Sequence, residues 1–220
     1  MNFIHQDLKK KISSSCPEPR VLGVGASPRK GGNSDLLLHE ALKGAGEKKI
    51  RTAALQLRNL KFSPCIGCEK CRKEKICTGH MDGMSLVYPA VYQSLGLVLV
   101  SPTHNYNITA WMKAFIDRLY CFYDFEDTRP RQWSTRLSGH NRKALLIAIA
   151  EQEAEFDMGF TLDAMQRPLE ALGYDIVGRL PVFGIFDRAG VNKDREVLAR
   201  ARMLGLELAG ALSSQKTGSD

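Results

Sequence analysis

Residues 20 to 34 read Arg20-Val-Leu-Gly-Val-Gly-Ala26-Ser-Pro-Arg-Lys-Gly-Gly-Asn33-Ser34. After the arginine, the first part is a continuous run of apolar and small residues, which is typical of a strand buried on both faces of a parallel sheet. The second part is rich in glycine and polar residues, and apolar residues follow it at helical spacing from Leu36 to Leu42. A buried strand, a glycine-rich turn and a helix in this order predict the start of an α/β fold.

The rest of the chain repeats this alternation. Further apolar runs predict strands at 50–57, 95–100, 142–150 and 174–183. Helical patterns lie at 84–93, from Thr109 or Ala110 to 119, at 157–172 and at 194–212. Five buried strands separated by helices predict a doubly wound, five-stranded parallel sheet of the flavodoxin-like order 2-1-3-4-5. In that order, ligands bind beyond the carboxyl ends of strands one and three.

Boundaries follow from turn and cap residues. We expect Asn33 or Ser34 to cap the first helix, and Gly44 and Gly46 to end it. The polar, proline-containing stretch at 124–139 is predicted to be an irregular excursion. The expected organisation is a lead-in at 1–19, one flavodoxin-like domain at 20–213 with a cysteine loop at 60–79, and a flexible tail at 214–220.

Composition excludes several classes of protein. The 220 residues are 44% hydrophobic and 25% charged, as in an ordinary globular domain. The net charge is +7, but the basic residues are scattered and lack interleaved aromatic residues, so we expect no nucleic-acid partner. No apolar run is long enough to span a bilayer and the first residues do not resemble a secretory signal, so we expect no membrane partner and a cytoplasmic location.

Four cysteines lie within thirteen residues, Cys65-Ile-Gly-Cys68-Glu-Lys-Cys71-Arg-Lys-Glu-Lys-Ile-Cys77. The spacing C-x2-C-x2-C-x5-C brings four thiolates together from one loop, as an iron–sulfur cluster requires. It resembles a ferredoxin-type run more than two separated zinc knuckles. A [4Fe–4S] cluster is the favoured interpretation, while zinc and unmetallated or redox-sensing thiols remain alternatives.

The other candidate ligands are interpreted as ordinary residues. Cys121 is expected to be a small hydrophobic residue in the core, and Cys16 a surface thiol. His80 follows the cysteine loop, and we interpret it as a solvated loop residue rather than as a further neighbour of the cluster.

The turn after the first strand is a candidate phosphate site. Small residues let the backbone wrap around an anion, and the following helix presents free amides at its positive end. Arg29 is suited to clamp a phosphate, and Ser27, Asn33 and Ser34 can donate hydrogen bonds to it. Neither the glycine pattern of a nucleoside triphosphate loop nor that of a dinucleotide loop is present. An ordinary glycine-rich turn is the alternative.

The loop after the third strand faces this turn across the expected crevice. It contains the consecutive residues Ser101, Pro102, Thr103, His104, Asn105 and Tyr106. A proline-stiffened polar loop can line a flat heteroaromatic ring and hydrogen-bond its edge, with His104 and Tyr106 beside the ring.

Together these motifs resemble a known family. Ser27-Pro-Arg-x-x-x-Asn33-Ser34, Ser101-Pro-x-x-x-Tyr106 and Lys113-Ala-Phe-Ile-Asp-Arg118 resemble the NAD(P)H-dependent FMN reductase branch of the flavodoxin-like proteins. The four cysteines between the first two motifs narrow the resemblance to the iron–sulfur flavoproteins. It covers residues 20 to 205. Two departures are Met81-Asp82-Gly83-Met84, shifted by one position from the usual pattern, and His104 where relatives often have an aromatic residue.

The resemblance implies a cofactor for each motif. Residues Ser27, Arg29, Asn33 and Ser34 would bind the FMN phosphate, and residues 101–106 would hold the isoalloxazine ring. Cys65, Cys68, Cys71 and Cys77 would bind the [4Fe–4S] cluster. Members of the family are homo-oligomers, commonly dimers or tetramers.

Three functional hypotheses follow. The leading one is an FMN-dependent oxidoreductase that passes electrons between the cluster and FMN, with ferredoxin or NAD(P)H as donor and oxygen, peroxide or a quinone as the small acceptor. No side chain acts as nucleophile or general base, because the cofactors carry the chemistry. The alternatives are an NAD(P)H-dependent FMN or quinone reductase without a functional cluster, and a non-enzymatic electron carrier of the flavodoxin type.

Overall fold

The structure is a computed structural model that describes residues 17–213 together with residues 6, 7, 10 and 12. The lead-in expected at 1–19 lies mostly outside the described residues, and the flexible tail expected at 214–220 lies wholly outside them.

One parallel sheet forms the centre of the described chain. Its strands are β1 (Glu18–Gly25), β2 (Arg51–Gln56), β3 (Ser94–Pro102), β6 (Arg142–Ile149) and β7 (Tyr174–Val182), and β4 (Tyr123–Phe125) and β5 (Trp133–Thr135) form a separate pair. The sheet order is β2-β1-β3-β6-β7 and all pairs within it are parallel. Since β6 and β7 are the fourth and fifth strands of this sheet along the chain, the predicted flavodoxin-like order is confirmed.

Helices cover both faces of the sheet. They are α1 (Asn33–Glu47), α2 (Lys70–Glu74), α3 (Met84–Gln93), α4 (Ala110–Arg118), α5 (Glu155–Met158), α6 (Thr161–Ala171) and α7 (Arg195–Ser213). Apolar residues of α1 and α7 form the core on one face. Those of α3, α4 and α6 form the core on the other, and two of the cysteines, Cys71 and Cys77, pack against it. Among the described helices, none has the length and apolar composition needed to cross a bilayer.

Glycines allow the close approach of α1 and α7. A Cβ on Gly44 would overlap the carbonyl of Arg202, and a Cβ on Gly205 would overlap the carbonyl of Ala41. The expectation that Gly44 and Gly46 end the first helix is therefore wrong, since α1 continues to Glu47. The physical reason is that Gly44 serves helix packing, a tertiary requirement that overrides its weak helix propensity.

This crossing predicts a stability difference between two glycines of α7. Gly205→Ala should lower the free energy of unfolding by about 2–3 kcal/mol, because the added methyl group meets backbone that cannot turn aside. Gly210 has no atom within 4 Å of the position of a Cβ, so Gly210→Ala is the matched control. That change should be neutral or stabilising by up to about 1 kcal/mol. Urea unfolding curves measure both, and equal effects would contradict the packing role.

The helix expected at 157–172 is divided in two. Gly159 adopts a φ of +56° between α5 and α6, and a Cβ there would overlap the carbonyl of Tyr106. The same carbonyl accepts the backbone N–H of Phe160 at 2.8 Å. The break therefore brings the start of α6 against the loop that follows β3.

The excursion expected at 124–139 is more regular than its composition indicated. Tyr123–Phe125 and Trp133–Thr135 pair as an antiparallel hairpin. Trp133 packs edge-on against Tyr123 with ring centroids 5.3 Å apart, and Phe125 stacks on Tyr120 at 5.1 Å. Cross-strand aromatic contacts of this kind stabilise a short pair, and no apolar periodicity is needed to form it.

Candidate cofactor cleft and cysteine loop

The turn after β1 and the loop after β3 line one cleft, as the strand order requires. The cleft encloses about 140 Å³. Seven of the residues expected to bind a cofactor line it: Ser27, Arg29, Asn33, Ser34, Pro102, Thr103 and His104. The remaining three, Ser101, Asn105 and Tyr106, lie outside its lining.

The start of α1 supplies backbone donors to this cleft. The N-cap is Gly32 rather than the expected Asn33 or Ser34, and glycine has no side chain with which to cap the helix. Asn33 and Ser34 therefore belong to the first turn, whose N–H groups lack partners within the helix. With the dipole of a fifteen-residue helix behind them, these amides favour an anion at this point.

Two of the expected phosphate ligands contact the loop after β7. The Arg29 guanidinium donates from Nη1 to the carbonyl of Phe186 at 2.8 Å and lies 4.3 Å from the centre of its ring. The Asn33 amide donates to the carbonyl of Asp187 at 3.0 Å and accepts the N–H of Val191 at 3.1 Å. Both side chains thus connect residues 26–34, the candidate phosphate turn after β1, to residues 186–191.

The loop after β7 is a part of the cleft that sequence reasoning missed. Ile185 and Phe186 line the cleft, as does Glu151 after β6. Arg188 is exposed, and its Nη2 lies 3.6 Å from where a Cβ on Gly31 would be. The predicted strand order could have indicated this loop, because the carboxyl ends of all parallel strands meet at one edge of the sheet.

A partly buried ion pair supports the phosphate turn from behind. The Asp35 carboxylate accepts the N–H of Gly31 at 2.7 Å and the Arg58 guanidinium at 2.7 and 2.9 Å. Arg58 also donates to the carbonyl of Ser27 at 3.2 Å. The pair therefore fixes both ends of the turn in the conformation that lines the cleft.

The loop after β3 is anchored by its first residues. Ser101 is fully buried. Its Oγ accepts the N–H of Thr109 at 3.2 Å and donates to the carbonyl of Pro102 at 2.9 Å. Thr109 caps α4 and donates to the carbonyl of Ala26 at 3.2 Å. Thr109 thus joins the two loops, and Ser101 supports Thr109 from inside the protein rather than facing the cleft.

Asn105 and Tyr106 form the tip of this loop. Both adopt positive φ values, 50° and 63°, between backbone hydrogen bonds that join His104 and Asn107. The Tyr106 ring is 52% exposed and lies 6.4 Å from the ring of Phe156. These two exposed aromatic residues pack against each other outside the lining of the cleft.

The four cysteines of the loop line a second cavity. It encloses about 390 Å³, and Tyr120, Asp117 and His80 also line it. All four thiols are free; Cys65 and Cys68 are exposed, while Cys71 and Cys77 are half-buried. Across the described residues, no three histidine, cysteine, aspartate or glutamate side chains form a group arranged to hold a metal ion.

Burial and the neighbouring cysteines disfavour the thiolate form of Cys71 when no cation is bound. Burial, followed by the charges of Cys77, Cys65 and Cys68, raises the pKa of the Cys71 thiol to about 11. The four sulfurs are therefore close enough to influence one another. Metal coordination stabilises the thiolate form of cysteine against such effects.

The backbone at residues 79 and 80 leaves room beside the sulfurs. A Cβ on Gly79 would lie 2.8 Å from the Sγ of Cys68, so glycine is the residue that fits there. Next to it, the Nε2 atom of His80 is buried and has no hydrogen-bond partner among the described residues. His80 as a whole is half-buried and is one of the residues that line the cysteine cavity.

A buried arginine closes the base of the cysteine loop. Arg118, at the end of α4, is 2% exposed. It donates to both carboxylate oxygens of Asp82, at 2.7 and 3.0 Å, and to the carbonyl of Ser63 at 2.7 Å. Asp82 in turn accepts the N–H groups of Ser63 and Met84. Residues on either side of the four cysteines are thus held together by one guanidinium.

Ser63, Asp82 and Arg118 form the stem of the cysteine loop, and their contacts determine its electrostatics. Burial raises the pKa of the Asp82 carboxyl, but hydrogen bonds from Arg118 and from the amides of Ser63 and Met84 outweigh it and leave the pKa below its ordinary value. Arg118 Nε donates to the hydroxyl of Tyr88 at 3.1 Å. Burial, together with the charges of Cys121 and Cys77, raises the pKa of Tyr88. Tyr88 therefore remains a neutral phenol between the stem and Cys77.

The fifth described cysteine is not part of the cavity lining. Cys121 is 2% exposed and belongs to the core on this face of the sheet, as the sequence indicated. Burial and the charges of Cys71 and Cys77 raise the pKa of its thiol. It packs behind the cysteine loop as an apolar side chain.

The β4–β5 hairpin is joined to the cysteine loop by ion pairs. Glu69 pairs with Arg72 at 3.3 Å and with Arg131 at 3.1 Å. Arg72 also reaches Asp127 at 2.9 Å, and Lys75 reaches Asp124 at 2.5 Å. Each exposed pair contributes little alone, but together they hold the hairpin against α2.

Helix α4 connects the cleft and the cysteine cavity. Its N-cap, Thr109, is tied to Ser101 and Ala26 beside the cleft. Asp117 near its carboxyl end and Tyr120 just beyond it line the cysteine cavity. At a rise of 1.5 Å per residue, nine helical residues extend about 13 Å. The two sites therefore lie at opposite ends of one short helix.

Comparison with known proteins identifies the family of this chain. The sequence model of the NADPH-dependent FMN reductase family matches residues 19–158. An iron–sulfur flavoprotein of Archaeoglobus fulgidus is 28% identical over 196 residues, which cover 89% of this chain and 81% of that protein. One of Methanocaldococcus jannaschii is 33% identical over 99 residues, covering 45% of this chain and 51% of that protein. The chain thus matches about half the length of some of its curated relatives.

Solved structures agree on the fold. A flavone reductase superposes with a TM-score of 0.67 at 14% identity, over 91% of this chain and 65% of that one. The NAD(P)H:quinone oxidoreductase of Methanothermobacter marburgensis gives 0.63 at 18% identity, over 87% and 99%. An archaeal flavodoxin gives 0.51 at 11% identity, over 88% and 99%. With the parallel sheet, the cleft at its carboxyl edge and the match over residues 19–158, the chain belongs to the NADPH-dependent FMN reductase family, and the curated relatives it matches are iron–sulfur flavoproteins.

Proposed function

We propose that this protein is an FMN-dependent oxidoreductase of the iron–sulfur flavoprotein type, with a [4Fe–4S] cluster bound by Cys65, Cys68, Cys71 and Cys77. The observation that carries the proposal is the convergence of these four cysteines on one cavity at the far end of the helix that starts beside the cleft. An iron–sulfur cluster supplies single electrons, and a flavin exchanges electrons with both one-electron and two-electron partners.

FMN is the proposed occupant of the cleft. The family match supports it, as do the amides at the start of α1, which favour a phosphate group. Ser27 and Ser34 are buried beside these amides, where their hydroxyls can donate to phosphate oxygens. Pro102, Thr103 and His104 would border the ring on the opposite side of the cleft.

Two observations support an iron–sulfur cluster over a single zinc ion. The cavity of about 390 Å³ is far larger than one ion with bonds of about 2.3 Å requires. Gly79 leaves space directly against Cys68.

The chain's own residues position and protect these sites. Arg118 and Asp82 fix the stem of the cysteine loop, and the hairpin covers α2 through its ion pairs. Asp35 and Arg58 hold the phosphate turn. None of these groups needs to gain or lose a proton, which agrees with a protein that binds and orients its cofactors.

Partners and location complete the proposal. We propose ferredoxin or NAD(P)H as donor, a small acceptor such as oxygen, peroxide or a quinone, and a homodimer or homotetramer. The exposed rings of Phe156 and Phe160 beside the loop after β3 support a subunit contact there. The five cysteines within the described part of the chain are free, which suits a reducing compartment such as the cytoplasm.

Analysis of protein purified without oxygen tests the proposal. We expect about four iron and four sulfide per chain, one FMN, and a brown colour with broad absorbance near the flavin bands. Zinc in place of iron, together with rapid hydride transfer from NADPH to FMN, would favour a reductase without a cluster. A colourless protein would contradict both the iron–sulfur flavoprotein and the flavin reductase without a cluster.

The phosphate of FMN provides a second test, centred on Arg188, whose exposed guanidinium reaches the glycine-rich turn at Gly31 and is proposed to contact the phosphate there. Arg188→Ala should weaken FMN binding about tenfold, since a charge-assisted hydrogen bond at an exposed site contributes about 1.5 kcal/mol. Riboflavin lacks the phosphate, so its affinity should not change. Arg179→Ala is the control, because Arg179 is also exposed and pairs with Asp163 at 2.9 Å. Fluorescence titration measures all four affinities, and an equal loss for riboflavin would place Arg188 away from the phosphate.

A further inference from the structure

A buried phenol lies behind the cysteine loop. Tyr88 is on the inner face of α3 and is 1% exposed. Its ring packs edge-on against the ring of Phe122, with centroids 6.1 Å apart, and this packing holds it in place. A hydroxyl in such a position needs hydrogen-bond partners within the protein, because water does not reach it.

The Tyr88 hydroxyl has two such partners. Its oxygen accepts the Nε–H of Arg118 at 3.1 Å. The second partner is the side chain of Cys77. A hydroxyl can accept one hydrogen bond while it donates another, and a guanidinium has no lone pair with which to accept. The phenol proton is therefore donated to the sulfur of Cys77 rather than to Arg118.

The charges around Tyr88 favour this direction. Arg118 is held by both carboxylate oxygens of Asp82, at 2.7 and 3.0 Å. Burial, together with the nearby thiols, raises the pKa of Tyr88, so the proton stays on the phenol. A hydrogen bond received from a cation polarises the hydroxyl and strengthens the bond that it donates. Asp82, Arg118 and Tyr88 thus form a chain of contacts that ends at Cys77.

We propose that Tyr88 donates a hydrogen bond to the sulfur of Cys77 and is a positioning residue that raises the reduction potential of the cluster. The inference rests on the proposed [4Fe–4S] cluster. A hydrogen bond to a ligand sulfur withdraws negative charge from it, which stabilises the reduced and more negative state of the cluster. Tyr88 does not line the cysteine cavity. It acts on Cys77 from the protein interior, through a contact between two residues of the chain.

Tyr88→Phe removes the hydroxyl and keeps the ring. Iron and sulfide should remain at four per chain, because all four cysteines are still present. The ratio of reduced to oxidised cluster at a fixed ambient potential should fall about tenfold, equivalent to about 59 mV for a one-electron couple. Potentiometric titration followed by electron paramagnetic resonance measures the ratio without relying on turnover.

Tyr88→3-fluorotyrosine tests the same hydrogen bond in the opposite direction. Fluorine makes the phenol more acidic and therefore a stronger donor, while the ring and its hydroxyl remain. The ratio of reduced to oxidised cluster should rise above that of the unmodified protein, a change that a purely structural role of Tyr88 does not predict. If Tyr88→Phe loses iron through general damage, the result for Tyr88→3-fluorotyrosine decides, since that variant keeps the native contacts.

Tyr174→Phe is the matched control, because Tyr174 is another buried phenol of the same core and is 2% exposed. It neighbours Arg142, whose guanidinium carbon lies 5.7 Å from the centre of its ring. The control should leave the ratio unchanged. An unchanged ratio in Tyr88→Phe with four iron bound, an equal fall in Tyr174→Phe, or no rise in Tyr88→3-fluorotyrosine would overturn the role of Tyr88.

The iron content separates this inference from the proposed function. If the unmodified protein holds no iron, the proposed function fails first and the inference fails with it. If it holds four iron and only the Tyr88 results are negative, the proposed function stands.

Discussion

Replacing Cys68 by alanine should reduce bound iron and sulfide from about four per chain to almost none, while FMN remains bound at one per chain. One missing thiolate leaves a cluster iron without its protein ligand. The FMN cleft should be unaffected, because its residues follow β1, β3, β6 and β7 and none of them belongs to the cysteine loop. Iron and sulfide assays measure the loss of the cluster, and the visible spectrum measures the FMN that remains bound.

Cys121→Ala controls for the loss of a thiol near the loop. Cys121 packs behind the loop and does not line the cavity, so this variant should retain its iron. If Cys68→Ala keeps an intact cluster, the assignment of ligands is wrong. If both variants lose iron, general damage to the loop explains the result better than loss of a ligand.

Arg118→Met should lower the free energy of unfolding by about 3 kcal/mol. Methionine fills part of the same space but leaves the Asp82 carboxylate, 14% exposed, without its cation. Because Arg118 also holds Ser63, the stem of the cysteine loop should open and the protein should lose iron more quickly to a chelator. Urea unfolding and the rate of iron release measure the two effects.

A second change separates the charge from the packing. Arg118→Met combined with Asp82→Asn removes the unpaired carboxylate, so it should recover about 1 kcal/mol relative to Arg118→Met alone. Lys113→Met is the control on the same helix. Its exposed pair with Asp117 should contribute only about 0.3–0.5 kcal/mol. An effect of Arg118→Met no larger than that of Lys113→Met would contradict the role of the stem.

The strands were predictable because each is a local signal. The apolar runs at 95–100 and 142–150 correspond closely to β3 and β6, since a strand covered on both faces needs apolar residues along its whole length. The helix at 84–93 was also predicted at its observed bounds. Parallel strands joined by helices then allow few topologies, so the order of the sheet followed.

The incorrect predictions from the sequence concern residues whose role depends on a partner far away in the chain. Gly44 resembled the end of a helix, but it accommodates the backbone of α7. Asn33 resembled a cap, yet its amide holds residues 187 and 191. The hairpin at 123–135 was missed because aromatic contacts and ion pairs to α2 stabilise it, rather than any periodic pattern.

The sequence by itself determined the alternation of strands and helices, the glycine-rich turn and the four clustered cysteines, because each depends on residues close together in the chain. Only the tertiary structure decided which groups surround those motifs. Arg118 meets Asp82 across 36 residues, and Arg29 meets Phe186 across 157. The folding of Gly79 against Cys68 also brought His80 to the edge of the cysteine cavity. Such contacts depend on how the helices pack on the sheet, and no local spacing along the chain encodes them.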